Sequence, residues 1–280
     1  PMPYGDLKKQ VVERFAAYED LKKYQCTIEE REEYEPWIEL GIPMYAGVDY
    51  EKIIRQAEKE ADVIIWDGGN NDFSFYKPAL SIVLVDPHRP GHELSYYPGS
   101  VNFRDADVII ITKVATAPKE GLAMVKKNIH VVNPKAAVVE ADLVLDVDQP
   151  ELIKGKRVLV VEDGPTVTHG GMAYGAGTIA AERYQGHVVD AEQHAIGSIK
   201  KVYDKYRHLK KILPAMGYSP RQIKELQETI RHAPCDVVID GTPVNLKRLL
   251  HIRKPIVTVN YSLEERGAHA LNDILKRFRK

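Results

Sequence analysis

The sequence is poor in cysteine, has no long apolar run and has no excess of charge of either sign. Its two cysteines, Cys26 and Cys235, lie far apart, which argues against a disulfide framework and favours a reducing cytoplasm. No apolar run approaches the roughly 18 residues of a membrane span. With 39 basic and 40 acidic residues the formal net charge is −1, so no basic field attracts nucleic acid. We predict a cytoplasmic protein that binds neither nucleic acid nor membrane.

The sequence also lacks the phosphate loop of P-loop enzymes, Gly-x-x-x-x-Gly-Lys-Ser/Thr. It does contain the apolar run 63–66 followed by Asp67. A buried strand that stops at a carboxylate followed by glycines is typical of the magnesium-facing Asp of P-loop phosphohydrolases. Because the chain begins at Pro1 without an initiator methionine, we expect a longer protein with the phosphate loop upstream.

Asp67 is therefore our first candidate for catalysis and for binding Mg²⁺. The residues after it let a phosphate approach the backbone closely, and we assign them to nucleotide binding: Gly68, Gly69 and Asn70. The competing interpretation is an Asp that caps the following turn.

The spacing of apolar runs predicts an α/β fold with parallel strands. A helix from Asp49 to Ala61 leads into the 63–66 strand, and a helix from Pro118 to Asn128 separates later strands. Uninterrupted apolar strands are expected where both faces of a parallel sheet are covered. The strands predicted for this half are Ser81–Val85, Asp107–Ile111 and Ala136–Val139.

A polar stretch at 146–156 predicts a domain boundary. We expect residues 1–150 to form the rest of a P-loop NTPase-like sheet domain without its phosphate loop, and residues 151–280 a second, Rossmann-like α/β domain. The second half is predicted to contain strands at 157–161, 187–189, 236–239 and 256–259, and helices around 180–183, 219–232, 245–250 and the C-terminus.

Two polar segments of the first half indicate nucleotide and anion binding. Thr112 and Lys113 follow an apolar strand at the place of the base-recognition motif of GTP-binding proteins. Ala115 stands where that motif has its guanine-reading carboxylate, which favours ATP over GTP. A strand end with an exposed lysine is the alternative.

The second segment is the loop from Asp86 to Glu93, which proline and glycine stiffen. We predict that it forms an anion cradle, with His88 and Arg89 catalytic and His92 binding substrate. Metal binding through His88, His92 and Glu93 is an alternative without a familiar zinc spacing. A third possibility is that these side chains only stabilise the loop.

The glycine-rich segment 163–177 lies between a strand and a helix, an arrangement typical of phosphate binding on backbone N–H groups. It does not match the dinucleotide fingerprint, so no NAD site is predicted. A purely structural turn is the alternative. We assign His169 to catalysis and the following residues to substrate binding: Asp163, Gly164, Thr166, Thr168, Gly170 and Gly171.

Three motifs in order, at 65–73, 86–93 and 162–172, make the chain resemble the cyclic 2,3-diphosphoglycerate synthetase family, which has GTPase-like relatives. The resemblance implies an N-terminal region with a phosphate loop before a segment like 1–6. It also implies a ligase that uses ATP and Mg²⁺ to close an intramolecular phosphoanhydride in 2,3-diphosphoglycerate. Asp67 would hold the magnesium, and the His88, Arg89, His92 and His169 side chains would offset the charge of the substrate.

Other functions fit the same residues. One is an ATPase or GTPase of the P-loop class that acts as a switch or on another phosphorylated small molecule. Another is a fragment that folds without turning over nucleotide. Exposed tyrosines near Tyr96 and Tyr97 allow a homodimer. The expected partners are a nucleotide and an anionic phosphorylated small molecule.

Overall fold

The computed structural model describes residues 6–68, 72–163, 167–168, 171–215, 219–267 and 270–279. Helices and parallel strands alternate along most of the chain, which confirms the predicted α/β class. None of the described helices has the length and apolar content needed to cross a membrane.

Ten strands and eleven helices are found in the described part of the chain. The strands are β1 Glu13–Phe15, β2 Met44–Ala46, β3 Ile82–Val85, β4 Val108–Ile111, β5 Ala137–Val147, β6 Arg157–Asp163, β7 His187–Val188, β8 Leu213–Ala215, β9 Val237–Gly241 and β10 Ile256–Glu265. The helices are α1 Tyr18–Lys23, α2 Ile28–Glu39, α3 Tyr50–Ala57, α4 His92–Ser95, α5 Gly99–Asp105, α6 Lys119–Val132, α7 Ala176–Arg183, α8 Ser198–Lys205, α9 Pro220–His232, α10 Leu246–Leu249 and α11 Ala270–Leu275. Single 3₁₀ turns lie at Pro150–Leu152, Glu192–His194 and Lys276–Phe278.

The chain divides into two compact units, each built from separate stretches of sequence. Unit A consists of Pro1–Ile53 and Leu145–Tyr261, and unit B of Ile54–Val144 and Ser262–Lys280. The change of unit after Val144 lies close to the boundary predicted at residue 150. The first and last stretches of the chain, however, each belong to the unit formed mainly by the other half of the sequence.

Unit A is built around strand β6. β9 pairs with one edge of β6 in parallel and β10 continues the sheet beyond β9, while β7 and β8 pair with the other edge of β6. Residues 158–161 of β6 are fully buried, so each side chain contributes on the order of 1.5–3 kcal/mol of apolar burial. The chain leaves β6 toward β7 and β8 and returns to β9, so the carboxyl ends of β6 and β9 mark the topological switch point of this sheet.

Three helices of unit A, α2, α9 and α10, begin after a residue whose side chain caps them. Ser219 precedes α9, and its hydroxyl accepts a hydrogen bond from the Gln222 N–H at 3.3 Å. The Gln222 side chain accepts in return from the Ser219 N–H at 3.2 Å, and Pro220 occupies the first helical position. This capping box fixes the start of the helix predicted at 219–232.

The first residues of unit A form a small layer of their own. β1 and β2 pair antiparallel, and Phe15 stacks on Tyr34 of α2 with 4.4 Å between ring centroids. The acidic run at 29–35 lies in α2, and it is not wholly exposed to solvent. Glu35 is buried, where its carboxylate accepts a hydrogen bond from Arg31 at 3.0 Å.

Unit B contains the parallel strands β3, β4 and β5 in that order. All four residues of β4 are buried, with helix α6 on one face and α11 on the other. The strands predicted at 81–85, 107–111 and 136–139 are confirmed, and β5 is longer than predicted.

The strand predicted at 63–66 is wrong. These residues form no strand, and Val63, Ile64 and Ile65 are 46, 40 and 73% exposed. A strand needs a neighbouring strand for its hydrogen bonds. None of the described strands pairs with these residues.

Candidate functional site

The carboxyl ends of β3 and β4 bring two of the predicted motifs together. The strands pair in parallel with Val85 beside Ile111, so the residues that follow them share one edge of the sheet. Asp86 follows β3, Lys113 lies two residues beyond β4, and the Lys113 Nζ is 2.7 Å from the Asp86 Oδ2. The loop 86–93 and the Thr112-Lys113 segment therefore form one site, which we call the β3–β4 site.

Asp86 is the anionic centre of this site. Burial alone would raise the pKa of its carboxyl group, but the Lys113 ammonium and the His88 backbone N–H lower it by more, and the pKa lies below its usual value. The His88 N–H donates to the Asp86 Oδ1 at 2.9 Å. Asp86 is thus ionised at neutral pH and holds Lys113 in place.

Lys113 has an unusual backbone conformation. Its φ angle is +56°, a left-handed region that a side chain with a Cβ adopts at a cost of about 1–2 kcal/mol. Thr112 before it is buried, and its hydroxyl donates to the Val85 carbonyl at 3.2 Å. Strain of this kind is concentrated at ligand-binding sites, and here it turns Lys113 toward Asp86.

His88 is fixed by a short chain of hydrogen bonds. The Thr116 hydroxyl donates to the Lys113 carbonyl at 3.3 Å, and the His88 Nε2 lies 2.9 Å from the same hydroxyl oxygen. Because the hydroxyl proton is used for Lys113, the His88 Nε2 is the donor to Thr116. This contact fixes the orientation of the ring beside the Asp86–Lys113 pair.

Arg89 and His92 lie beside a cleft of about 490 Å³. Among the described residues, no carboxylate forms an ion pair with Arg89, so its guanidinium is available to an anion. The cleft combines these two cationic or imidazole groups with apolar and aromatic side chains, among them Leu84, Tyr96 and Tyr97.

Glu93 stabilises the loop rather than completing a metal site. One of its carboxylate oxygens accepts from the Gly91 N–H at 2.9 Å, and the other accepts from the Asn128 side chain at 2.7 Å. In the described part of the chain, no three His, Cys, Asp or Glu side chains are grouped to hold a metal ion. The alternative of a metal held by His88, His92 and Glu93 has no support in this geometry.

Asp142 on β5 supports the other side of the β3–β4 site. Its Oδ1 accepts from the Ala115 N–H at 2.6 Å, and its Oδ2 accepts from Arg266. Burial would raise the pKa of Asp142, but these donors hold it below its usual value. A carboxylate is therefore present beside Ala115, supplied by the next strand instead of by the motif itself.

Asp67 and Gly68 lie in an exposed stretch that follows no strand. The assignment of Asp67 to Mg²⁺ rested on a buried strand that ends at this residue, and the structure has no strand there. The neighbouring candidates Gly69 and Asn70 lie outside the described residues.

In unit A, the glycine-rich segment leads into helix α7, as predicted, but an internal carboxylate occupies the helix N-terminus. Glu162 is almost fully buried at the end of β6. Its carboxylate accepts from the backbone N–H groups of Gly175, Gly177 and Thr178 at 3.1, 3.3 and 2.7 Å, and from the Thr178 hydroxyl at 2.7 Å. The N–H groups at the N-terminal end of α7, which the segment was expected to offer to phosphate, are thus already used by Glu162.

Glycine is required around this carboxylate. A Cβ on Gly175 would lie 2.4 Å from the Glu162 Oε2, and one on Gly241 would lie 2.7 Å from the same oxygen. Burial raises the pKa of Glu162, although the hydrogen bonds from Thr178, Gly177 and Gly175 oppose that effect. These glycines therefore serve the packing of Glu162.

The remaining candidates of the segment are only partly described. Thr168 is buried, Asp163 is half-buried, and Gly171 is exposed with a φ angle of +65°. The Gly171 N–H donates to the Thr168 carbonyl at 3.2 Å. The candidates that lie outside the described residues are Gly164, Thr166, His169 and Gly170.

A second buried carboxylate, Asp240, lies near the end of β9, the strand that pairs with β6. It accepts from the Thr242 hydroxyl at 2.7 Å, the Thr242 N–H at 3.1 Å and the Leu246 N–H at 3.2 Å. Burial raises the pKa of Asp240 to about 7 against the effect of these donors.

Sequence reasoning missed Asp86, Thr116 and Asp142 of the β3–β4 site, and the buried pair Glu162 and Asp240. A signal exists for three of them: Asp86, Glu162 and Asp240 each stand directly after a run of at least three apolar residues. A carboxylate at that place reaches the carboxyl edge of a parallel sheet. For the other two no sequence signal exists: the pairing of β3 with β4 brings Thr116 to His88, and the pairing of β4 with β5 brings Asp142 to Ala115.

Comparison with known proteins gives two relatives, and no family model matches the chain. The chain is 62% identical over 281 residues to the protein named arginine synthetase ArcE from Thermococcus kodakarensis; the match takes in 100% of this chain and 63% of the relative. It is 23% identical over 219 residues to the cyclic 2,3-diphosphoglycerate synthetase of Thermococcus sibiricus, over 76% of this chain and 48% of that protein. The chain thus spans between about half and two thirds of the length of these relatives. The resemblance to cyclic 2,3-diphosphoglycerate synthetases is borne out in part, as a distant similarity weaker than that to the arginine synthetase, and both relatives are named as synthetases.

Proposed function

We propose that this chain carries the nucleotide-handling part of a synthetase whose product is arginine. The observation that supports this most directly is the 62% identity, along the whole chain, to a protein named arginine synthetase. Formation of cyclic 2,3-diphosphoglycerate is the second candidate. The support for it is weaker, because the identity to the cyclic 2,3-diphosphoglycerate synthetase is only 23%.

In this proposal the β3–β4 site binds the phosphates of the nucleotide. Arg89, His92 and Lys113 supply the cationic or donor groups, and the ionised Asp86 orients Lys113. Asp67 would contribute one oxygen ligand to Mg²⁺, which neutralises phosphate charge when it is bound. ATP is favoured over GTP because Ala115 supplies no carboxylate and because the carboxylate beside it, Asp142, already accepts from the Ala115 N–H and from Arg266.

Nucleotide binding is tested by calorimetric titration of the chain with Mg-ATP and Mg-GTP. Arg89→Ala should weaken ATP binding by about 10- to 150-fold, the equivalent of a charge-assisted hydrogen bond worth roughly 1.5–3 kcal/mol. Arg253→Ala is the matched control, because Arg253 is exposed and lies in unit A. Equal affinity in the two variants would remove Arg89 from the site.

The substrate is tested by the same titration with L-arginine and with 2,3-diphosphoglycerate, each with and without nucleotide. Binding of arginine alone supports the arginine synthetase, and binding of 2,3-diphosphoglycerate alone supports the second candidate. Binding of nucleotide with neither small molecule would favour the ATPase or GTPase switch.

A further inference from the structure

Positive charge is concentrated in one short stretch of unit A. Residues 200–211 contain six of the 39 lysines and arginines of the chain and one of its 40 acidic residues, a net charge of +5. The rest of the chain therefore contains 33 basic and 39 acidic residues, a net charge of −6. The formal net charge of −1 for the whole chain hides this contrast.

Helix α8 presents the first part of this stretch on its outer face. Ile199 and Tyr203 lie one helical turn apart, are each 2% exposed and belong to the core of unit A. At about 100° per residue, positions 200, 201, 204 and 205 fall on the opposite side of the helix, and all four residues are exposed. Lys201 and Lys205 are therefore neighbours on the surface, about 6 Å apart along the helix axis.

The turn after α8 continues the same surface. Leu209 and Ile212 are 1 and 2% exposed and pack in the same core as the inner face of α8. The Tyr203 hydroxyl donates to the Ile212 carbonyl at 2.8 Å, and the His208 Nε2 donates to the Val167 carbonyl at 2.7 Å. These contacts hold the turn against the core while its basic side chains remain exposed. The basic surface, as we call it, consists of Lys200, Lys201, Lys205, Arg207, Lys210 and Lys211.

Little of this charge is neutralised within the protein. Asp204 lies 3.6 Å from Arg207, and both side chains are 72% exposed. Among the residues that the structure describes, no carboxylate forms an ion pair with any of the five lysines. Like charges one turn apart destabilise a helix, so the grouping of Lys201 with Lys205 opposes stability unless an anion binds there.

The composition of the basic surface distinguishes between classes of partner. Protein–protein interfaces are enriched in aromatic and apolar side chains at their centre and depleted in lysine. An interfacial membrane helix turns its apolar side chains toward the lipid, whereas those of α8 face the core of unit A. All apolar and tyrosine side chains of residues 199–212 are buried or half-buried. A surface with exposed lysine and no exposed apolar centre is typical of proteins that bind nucleic-acid phosphates.

We propose that the basic surface binds the phosphate backbone of double-stranded nucleic acid. A duplex carries one negative charge per about 1.7 Å of its axis, so several phosphates come within reach of the basic side chains, and release of counterions drives binding. Because phosphates are the same in every sequence, the contact has little sequence preference. The proposal replaces the expectation, drawn from net charge alone, that the chain does not bind nucleic acid. It is independent of the β3–β4 site, which lies in unit B.

The test is a titration of a fluorescein-labelled DNA duplex of about 24 base pairs with the chain, followed by fluorescence anisotropy between roughly 50 and 200 mM KCl. Contact with about four to six phosphates gives a plot of log K against log salt with a slope of about −3.6 to −5.4. A single strand of the same length should bind more weakly, because its charge density is lower.

The double variant Lys201→Gln, Lys205→Gln should reduce the magnitude of this slope by about 1.8, since each phosphate contact contributes about 0.9. The matched control is Lys127→Gln with Lys135→Gln, which removes the same charge from exposed positions of unit B and should leave the slope unchanged. All four side chains are exposed, so circular dichroism melts of both double variants should agree with that of the parent chain.

Three outcomes of the titration would overturn the proposal: no binding of the duplex, the parent slope in the Lys201 and Lys205 variant, or an equal loss of slope in the control. Co-sedimentation with phosphatidylcholine vesicles that contain about 30% phosphatidylserine gives the comparison with a membrane. Binding to the vesicles that is tighter than binding to the duplex would assign the basic surface to a membrane and would also overturn the proposal.

Discussion

At the scale of single residues, the most informative groups are two buried carboxylates that accept hydrogen bonds from different parts of the backbone. Glu162 takes the N-terminus of α7, and Asp240 organises the turn after β9. Each is almost fully buried, so the donors around it decide whether the fold tolerates it.

Glu162→Gln should lower the free energy of unfolding by about 1–3 kcal/mol. The NH₂ group of Gln, which replaces one carboxylate oxygen, would point its hydrogens at the backbone N–H groups of the helix terminus, so donor would face donor. Urea unfolding followed by circular dichroism measures the change, with Glu182→Gln as a control on the exposed side of the same helix. Equal effects of the two substitutions would show that Glu162 is not the cap of the helix.

Asp240 predicts how stability depends on pH. Its pKa is about 7 in the folded protein and near the usual 3.8 when unfolded, so the folded state holds a proton that the unfolded state has lost between these values. Stability from this group is therefore complete below about pH 3.8 and is lost as the pH rises toward 7, by up to about 1.4 kcal/mol per pH unit.

Asp240→Asn removes this titration. The melting temperature of the parent chain should rise relative to that of the variant between pH 8 and pH 5, as measured by scanning calorimetry. Parallel curves for the two proteins across that range would mean that Asp240 is ionised in the folded state.

At the scale of elements, the contact between helix α6 and the loop after β3 positions the candidate site. Gly121 in the first turn of α6 faces the Pro87 carbonyl so closely that a Cβ would lie 2.2 Å from its oxygen. Pro87 stands between Asp86 and His88, so a displacement of its carbonyl moves both.

Gly121→Ala should therefore weaken Mg-ATP binding at least tenfold in the calorimetric titration while circular dichroism still shows a folded protein. Glu120→Ala is the control, because Glu120 is exposed in the same helical turn. If Gly121→Ala binds nucleotide normally, the loop after β3 is not part of the site.

At the scale of the whole molecule, the two units differ in how completely the apolar side chains of their strands are buried. The central strand of unit A has no exposed apolar side chain between Val158 and Val161, whereas β3 of unit B exposes every second residue. Unit B should consequently be the less stable of the two.

The two tryptophans report on the units separately, since Trp37 belongs to unit A and Trp66 to unit B. In single-tryptophan variants made by Trp37→Phe or Trp66→Phe, the fluorescence of Trp66 should change at a lower urea concentration than that of Trp37. Coincident transitions would show that the chain unfolds as one cooperative unit.

The sequence alone determined most elements and the α/β class. Apolar runs at regular spacing predicted β3, β4, β6, β9 and β10, because continuous apolar strands and capped amphipathic helices are local patterns. The Ser219 box, for example, is contained within four residues.

Only the tertiary structure decided which polar groups meet. Parallel pairing of β3 with β4 joined Asp86 to Lys113, and pairing of β4 with β5 brought Asp142 to Ala115 across 27 positions of sequence. The run at 63–66 has the composition of a strand but pairs with none of the described strands. Its own residues could not reveal this, because a strand forms its hydrogen bonds with a neighbour elsewhere in the chain. The glycine segment likewise reads as a phosphate loop until the fold places the Glu162 carboxylate on its helix N-terminus.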